Sequence, residues 1–197
     1  MPARLERGGL NASPSYPHSH SGPVLVCGNA WCLHDDLERA RKIYPDAPCI
    51  AINGASKEVK AFALYSWHPD RFMETPFRWI ERQRVLFGEG FEVHGARTYQ
   101  GMPWVEYWWP DTKKGGGGSA WGARKMAWLM GFETVVLCGC PLTPGPYVGN
   151  HGLGGLMTKD NVVQMYIDQI VRDGEWHDGV YSMSGRTRDV LGEPKPC

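Results

Sequence analysis

The apolar positions of this 197-residue chain fall into short unbroken runs, separated by stretches in which they recur every three or four residues. Val24-Leu25-Val26-Cys27 is such a run, closed by Gly28-Asn29, and Leu33, Leu37, Ala40 and Tyr44 then repeat at helical spacing before Pro45. The pattern predicts strand, loop, helix, because three-to-four spacing turns one helix face toward a core while a short apolar run suits a strand buried on both faces. Pro48 to Ile52 is the next run, closed by Asn53-Gly54. It completes a β-α-β unit, whose parallel strands require a right-handed crossover.

Farther along, Ala61 to Ser66 predicts a third strand ending at Trp67-His68-Pro69-Asp70, and Thr75-Pro76 opens a helix running to about Phe87. Phe91 to Tyr99 predicts a further strand. Ser119 is placed to cap a helix carrying Ala123, Ala127 and Met130 and closed by Gly131, after which Thr134 to Gly139 reads as a strand. Thr158 is placed to cap a helix with Val163, Tyr166, Ile167, Ile170 and Val171 on one face, and Val180 to Met183 forms a last short strand. The alternation predicts an α/β fold: a single doubly wound, mostly parallel sheet with helices on both faces, binding ligands beyond the carboxyl ends of its strands. Residues 1–22, rich in Ser, Pro and His without periodicity, read as a flexible arm, which leaves 23–197 as one domain.

Composition narrows the function classes. Lys plus Arg and Asp plus Glu are both 21, so the net charge is zero and long-range steering toward a polyanion is weak. Lys113-Lys114 and Arg124-Lys125 nevertheless flank a glycine run and predict a local basic patch. Gly (25) and Pro (15) stay at about 20% of the chain, below the level of low-complexity sequences. No window reaches the roughly 18 apolar residues of a membrane helix and no signal-peptide pattern opens the chain, so a cytoplasmic protein without a membrane partner is expected. Of the six Cys, three (Cys27, Cys49 and Cys138) lie in strand runs, and Cys138-Gly139-Cys140 lacks metal-ligand spacing. Reduced, buried thiols and no metal site are expected.

Candidate chemistry collects at the predicted strand ends. Gly28-Asn29, Asn53-Gly54 and Gly139 to Leu142 follow three strands and should share one edge of the sheet. Gly115 to Gly118 precede a helix, so Gly117, Gly118 and Ser119 can bring backbone N–H groups to a phosphate, although a flexible linker gives the same composition. Asn29 and Asn53 suit a ribose or a pyrimidine edge, or simply turns that need left-handed backbone. His68, His151 and His177 are the histidines placed for a general base, and His151 has the glycine-flanked loop expected of a catalytic segment. Trp104, Tyr107, Trp108 and Trp109 concentrate more aromatic area than a local core needs and suggest stacking on a flat ligand. The Walker and dinucleotide patterns fail, and Gly-x-Ser-x-Gly, His-Glu-x-x-His and Asp-x-Asp are absent.

Taken together, residues 23–142 resemble small single-domain glycosyltransferases of the bacterial sialyltransferase type, and a set of phage-encoded proteins of similar size, with a Rossmann-like fold. The likeness rests on Val24 to Leu33 with Gly28 and Asn29, on Asn53 ending the second strand, on Trp67-His68-Pro69 where the family has aromatic-Asn-Pro, and on Gly118-Ser119 through Met130-Gly131-Phe132 to Leu137-Cys138-Gly139. The resemblance implies a metal-independent transferase using a UDP- or CMP-linked nucleotide sugar. It implies that Gly28, Asn29, Asn53, His68, Gly117, Gly118, Ser119 and Gly139 hold the nucleotide, that His151 deprotonates the acceptor hydroxyl, and that Tyr147 meets phosphate. The tail Ser182 to Arg188 also looks like the phage set, where hydroxyls and Arg grip phosphate; an ordinary solvated turn is the alternative. The phage likeness further implies a hydroxymethylated pyrimidine in double-stranded DNA as acceptor, flipped against Trp104, Trp108 and Trp109 beside Lys113 and Lys114. A glycan or metabolite acceptor, in a sialyltransferase-like enzyme, and a catalytically inert nucleotide-binding module are the alternatives.

Overall fold

The structure is a computed structural model and describes residues 16–73, 78–96, 102–113, 116–145, 160–174 and 177–195. The described residues form seven strands: β1 (Pro23–Cys27), β2 (Cys49–Ile52), β3 (Ala63–Ser66), β4 (Glu92–Gly95), β5 (Tyr107–Trp108), β6 (Thr134–Cys138) and β7 (Val180–Ser182). They form one sheet in the order β5-β4-β3-β2-β1-β6-β7, and every neighbouring pair is parallel. The helices are α1 (Leu33–Ile43), α2 (Trp79–Phe87), α3 (Gly118–Met130), α4 (Asp160–Arg172) and α5 (Gly185–Leu191). This is the predicted doubly wound α/β architecture.

Period-two alternation divides the sheet residues between two cores. Val24, Val26, Ile50, Ile52 and Tyr65 face Trp121, Met126 and Met130 of α3 and Ile170 of α4. Leu25, Cys27, Ala51 and Leu64 face Leu33 and Ala40 of α1 and Trp79 and Ile80 of α2. The central strands are buried on both faces, which explains why their sequences are unbroken apolar runs. Cys27, Cys32, Cys49, Cys138 and Cys140 are buried free thiols. Among the described residues no helix is long and apolar enough to cross a membrane.

Several local expectations change. Ser119 lies inside α3, and the cap position belongs to Gly117, in left-handed backbone at φ 83° with no side-chain cap. Trp109 is fully buried and donates its indole N–H to His94 Nδ1 (3.0 Å), so packing and not ligand stacking accounts for it. Arg124 and Lys125 are 1% exposed within α3, with Lys125 Nζ paired to Asp173, so they form no surface basic patch. Residues 16–22, the described part of the expected arm, lie against the fold. The Tyr16 ring meets Tyr107 and Trp109, His20 stacks on Phe132 with centroids 4.7 Å apart, and the His20 N–H donates to the Met130 carbonyl. The tail is a helix, α5, rather than a solvated turn, and its Thr187 is buried.

Candidate functional site

In the sheet order the chain runs outward from β1 in both directions, toward β2 on one side and β6 on the other. Loops leaving the carboxyl ends of two such strands turn to opposite faces and leave a crevice between them, the usual ligand position in doubly wound sheets. Cys27 pairs with Cys138 in register, so Gly28 and Gly139 emerge side by side. The two loops are joined directly: the Gly28 N–H donates to the Cys138 carbonyl (2.8 Å) and the Ala30 N–H to the Gly139 carbonyl (3.1 Å). Gly139 has φ 63°, and a Cβ there would strike the Gly28 carbonyl, so both backbone geometry and close approach require glycine.

A cavity of about 270 Å³ opens at this crevice. Its wall includes seven of the eight residues expected to hold a nucleotide: Gly28, Asn29, Asn53, Gly117, Gly118, Ser119 and Gly139. The eighth, His68, is exposed beyond β3 and does not line it. Its backbone N–H donates to Ser66 Oγ (2.9 Å), and the Ser66 hydroxyl donates to Asn53 Oδ1 (2.7 Å). That chain consumes the Asn53 amide oxygen and leaves its NH₂ as the group for a ligand acceptor atom. Asn53 (φ 50°) and Leu142 (φ 43°) are the non-glycine residues with positive φ among the described residues, and both border the cavity. Left-handed backbone in a branched residue such as leucine costs about 1–2 kcal/mol, and strain of this kind concentrates at binding sites.

On the opposite wall, Gly116, Gly117 and Gly118 have φ of 82°, 83° and 76°, an approach only glycine makes without strain. It points the uncapped start of the 13-residue α3 into the cavity. The first turn of a helix has N–H groups without intrahelical partners and carries the positive end of the helix dipole, an arrangement suited to an anion. Gln169 of α4 fixes this turn by accepting the Gly117 N–H (2.6 Å). Among the described residues, no Lys, Arg, Asp or Glu lines the cavity.

The loop after β6 is held by two buried groups: Asp36, which the sequence did not single out as functional, and Thr187, part of the tail read as a phosphate-gripping segment. Asp36 of α1, 1% exposed, accepts the Gly139 N–H (2.9 Å) and the Ser184 hydroxyl (2.7 Å) on Oδ2, and Arg39 on Oδ1. Burial, together with this carboxylate, pushes the neighbouring Cys32 thiol up to about 11. Thr187 of α5 donates to the Cys140 carbonyl (2.7 Å) and borders the cavity. Trp121, Tyr166 and Ile170 complete the wall. Tyr166 and Ile170 were legible only as apolar members of a helix, because periodicity does not separate a core face from a cavity face.

Other expected residues lie elsewhere. Trp104 donates to the Pro69 carbonyl (3.4 Å), and Trp108 packs over Gly95. Trp108 is on β5, four strands from β1, about 19 Å at the usual strand spacing, so the aromatic cluster does not border the cavity. Lys113 Nζ sits 5.1 Å from the centre of the Trp67 ring. His177 donates its Nε2–H to the Ile170 carbonyl (2.9 Å) and packs edge-on against Trp121, outside the cavity wall. His151, Tyr147 and Lys114 fall outside the described residues. The described residues contain no group of three or more His, Cys, Asp and Glu able to hold a metal ion.

No family model matches the chain, and no curated protein matches it. Among solved structures it is similar to the MAf glycosyltransferase from Magnetospirillum magneticum AMB-1, with a TM-score of 0.51 and 13% identity. The likeness covers 89% of this chain but 33% of that one, so the chain spans about one third of the length of the protein it matches. At this identity the similarity concerns the fold, a parallel Rossmann-like sheet of the kind found in a glycosyltransferase.

Proposed function

We propose that this chain is a nucleotide-sugar-dependent glycosyltransferase. The observation that carries the reading is the convergence of the β1, β2 and β6 exit loops with the uncapped start of α3 around one cavity. In this reading the Asn53 NH₂ and Asn29 meet the nucleoside between Gly28 and Gly139. The phosphate of the UDP- or CMP-linked donor faces the N–H groups of Gly118 and Ser119, while the Gly117 N–H is held by Gln169 and shapes the turn. The fold likeness to a glycosyltransferase supports the reaction class.

The chemistry is a displacement at the anomeric carbon. His151, six residues beyond the cavity-lining Gly145 in the chain, takes the proton of an acceptor hydroxyl. The acceptor oxygen forms the new bond to the anomeric carbon as the bond to the donor phosphate breaks. The departing nucleotide keeps the electron pair, and its negative charge is met by the start of α3. A hydroxymethylated pyrimidine in double-stranded DNA is the more demanding acceptor, because Trp104, Trp108, Trp109 and Lys113, expected to hold it, are buried or away from the cavity. A carbohydrate hydroxyl makes no such demand.

The test is a mass-spectrometric screen of UDP- and CMP-sugars against saccharides and against hydroxymethylated and plain DNA, with His151→Ala alongside. A transferase loses turnover in that variant while retaining nucleotide. A chain that binds UMP or CMP but gives no product mass shift with any pair is instead an inert binding module.

A further inference from the structure

We infer that Trp31 is the platform for the acceptor and that this acceptor is an uncharged saccharide; the inference rests on the glycosyltransferase reading and names the substrate class of the same cavity. Trp31 follows Ala30, a residue of the cavity wall, in the loop between β1 and α1. It is 51% exposed, whereas Trp79, Trp109 and Trp121 are buried and Trp67, Trp104, Trp108 and Trp128 are partly buried. Its indole closes against another wall residue, Gly145, where an added Cβ would lie 2.5 Å from both Cδ1 and Nε1. One edge of the ring is therefore spent on the loop after β6, and the exposed remainder lies between two residues of the cavity wall, Ala30 and Gly145.

Single exposed apolar side chains are ordinary on protein surfaces. A half-open indole wedged between two loops of a ligand cavity is a different situation, because it adds a flat apolar surface to a concave site whose deeper wall is already largely aliphatic and aromatic. A pyranose has the complementary surface: a patch of C–H bonds that lies on an aromatic face, ringed by hydroxyls that reach polar groups beside it. In the glycosyltransferase reading the cavity of about 270 Å³ is taken by the nucleotide, which leaves the indole beside it for the sugar that receives the transfer.

Charge selects among acceptors. A polyanion is held by Lys and Arg at its phosphates, each contact releasing condensed counterions. No Lys or Arg lines the cavity among the described residues, Arg124 and Lys125 are buried in α3, and Lys113 lies over Trp67. Asp35, exposed in the first turn of α1 four residues beyond Trp31, adds negative charge to this stretch of the chain. Among the described residues, this surface suits a neutral saccharide better than duplex DNA.

Wild type, Trp31→Ala and Trp31→Phe are compared with UMP and CMP as nucleotide probes and with p-nitrophenyl glucoside, galactoside and N-acetylglucosaminide as acceptor probes. A duplex containing hydroxymethylcytosine is the polyanionic control. Trp31→Ala is expected to hold the nucleotide dissociation constant within about twofold and to raise the acceptor KM about tenfold, with Trp31→Phe recovering most of the loss. An unchanged acceptor KM in Trp31→Ala overturns the inference, as does a nucleotide affinity that falls in parallel. Transfer to the duplex with none to any glycoside also overturns it while leaving the glycosyltransferase reading intact, whereas failure of wild type to bind UMP and CMP removes that wider reading. Saturation-transfer NMR of the same glycosides on nucleotide-loaded protein gives the answer without turnover: no signal, or a signal indifferent to Trp31→Ala, refutes the platform.

Discussion

Replacing Asp36 by alanine removes one carboxylate from three donors at once, and the structure supplies the terms. The Gly139 N–H is buried, and leaving it without a partner costs about 1–3 kcal/mol. The Ser184 hydroxyl loses a charge-assisted bond, roughly 1 kcal/mol because part-burial lets water replace it. Arg39 is 40% exposed, so its pair with Asp36 is discounted to about 0–1 kcal/mol. These groups share one acceptor and do not add in full, which gives about 2–4 kcal/mol for Asp36→Ala, a large part of a typical domain stability of about 5–15 kcal/mol. Asp36→Asn keeps the volume and one acceptor oxygen for Gly139 but turns an NH₂ toward a second donor, so about 1–2 kcal/mol is expected. The assay is equilibrium urea unfolding at pH 7, where a slope of about 2–3 kcal/mol/M puts the Asp36→Ala midpoint about 1–2 M below wild type. A loss under about 1 kcal/mol for Asp36→Ala, or equal losses for both variants, refutes the idea that this carboxylate clamps the loop after β6.

Three further outcomes are expected. Gly117→Ala combines a left-handed φ of 83° with a Cβ 2.6 Å from the Cβ of Trp121, so it should destabilise the fold by about 2–4 kcal/mol and weaken UMP and CMP binding in calorimetric titration; unaltered nucleotide affinity would contradict a phosphate at α3. Burial lowers the pKa of His94 and of His20, partly offset by Glu92, so the unfolded chain takes up these protons first as pH falls below about 6.5. Stability should therefore drop from about pH 6.5 downward, and a Tm series from pH 7.5 to 5.5 should show a slope that His94→Gln flattens; a flat wild-type profile refutes this. Glu92 follows at lower pH: burial pushes its carboxyl up, but the His94 and His18 side chains and the Tyr16 hydroxyl outweigh it, so its contribution is lost as pH falls through a value below the usual carboxylate range. If the proposed transfer occurs, it should persist in EDTA, because in that reading the start of α3 meets the phosphate and the chain has no Asp-x-Asp motif; complete loss restored by magnesium or manganese would refute it.

Hydrophobic order along the chain determined the architecture. The runs at Val24, Cys49 and Thr134 are buried strands because only a parallel sheet covered on both faces hides every residue of such a run, and the helical spacing between them supplies the covering faces. The strand-end glycines and asparagines were legible for the same reason: strands that run in parallel deliver their exits to one edge. Asp35-Asp36 shows where reading along the chain stops, since adjacent carboxylates in one helix are alike in sequence, yet the turn of α1 exposes the first and buries the second beneath Gly139 and Ser184. The tryptophans make the same point. Clustering in sequence directed attention to Trp104, Trp108 and Trp109, but β5 adds at the outer edge of the sheet, away from the crevice. The lone Trp31 stands beside the cavity because β1 is central. Local spacing decides which residues form a strand or helix, whereas which distant residues share a cavity depends on strand order and helix rotation, and these are set by packing across the whole sheet.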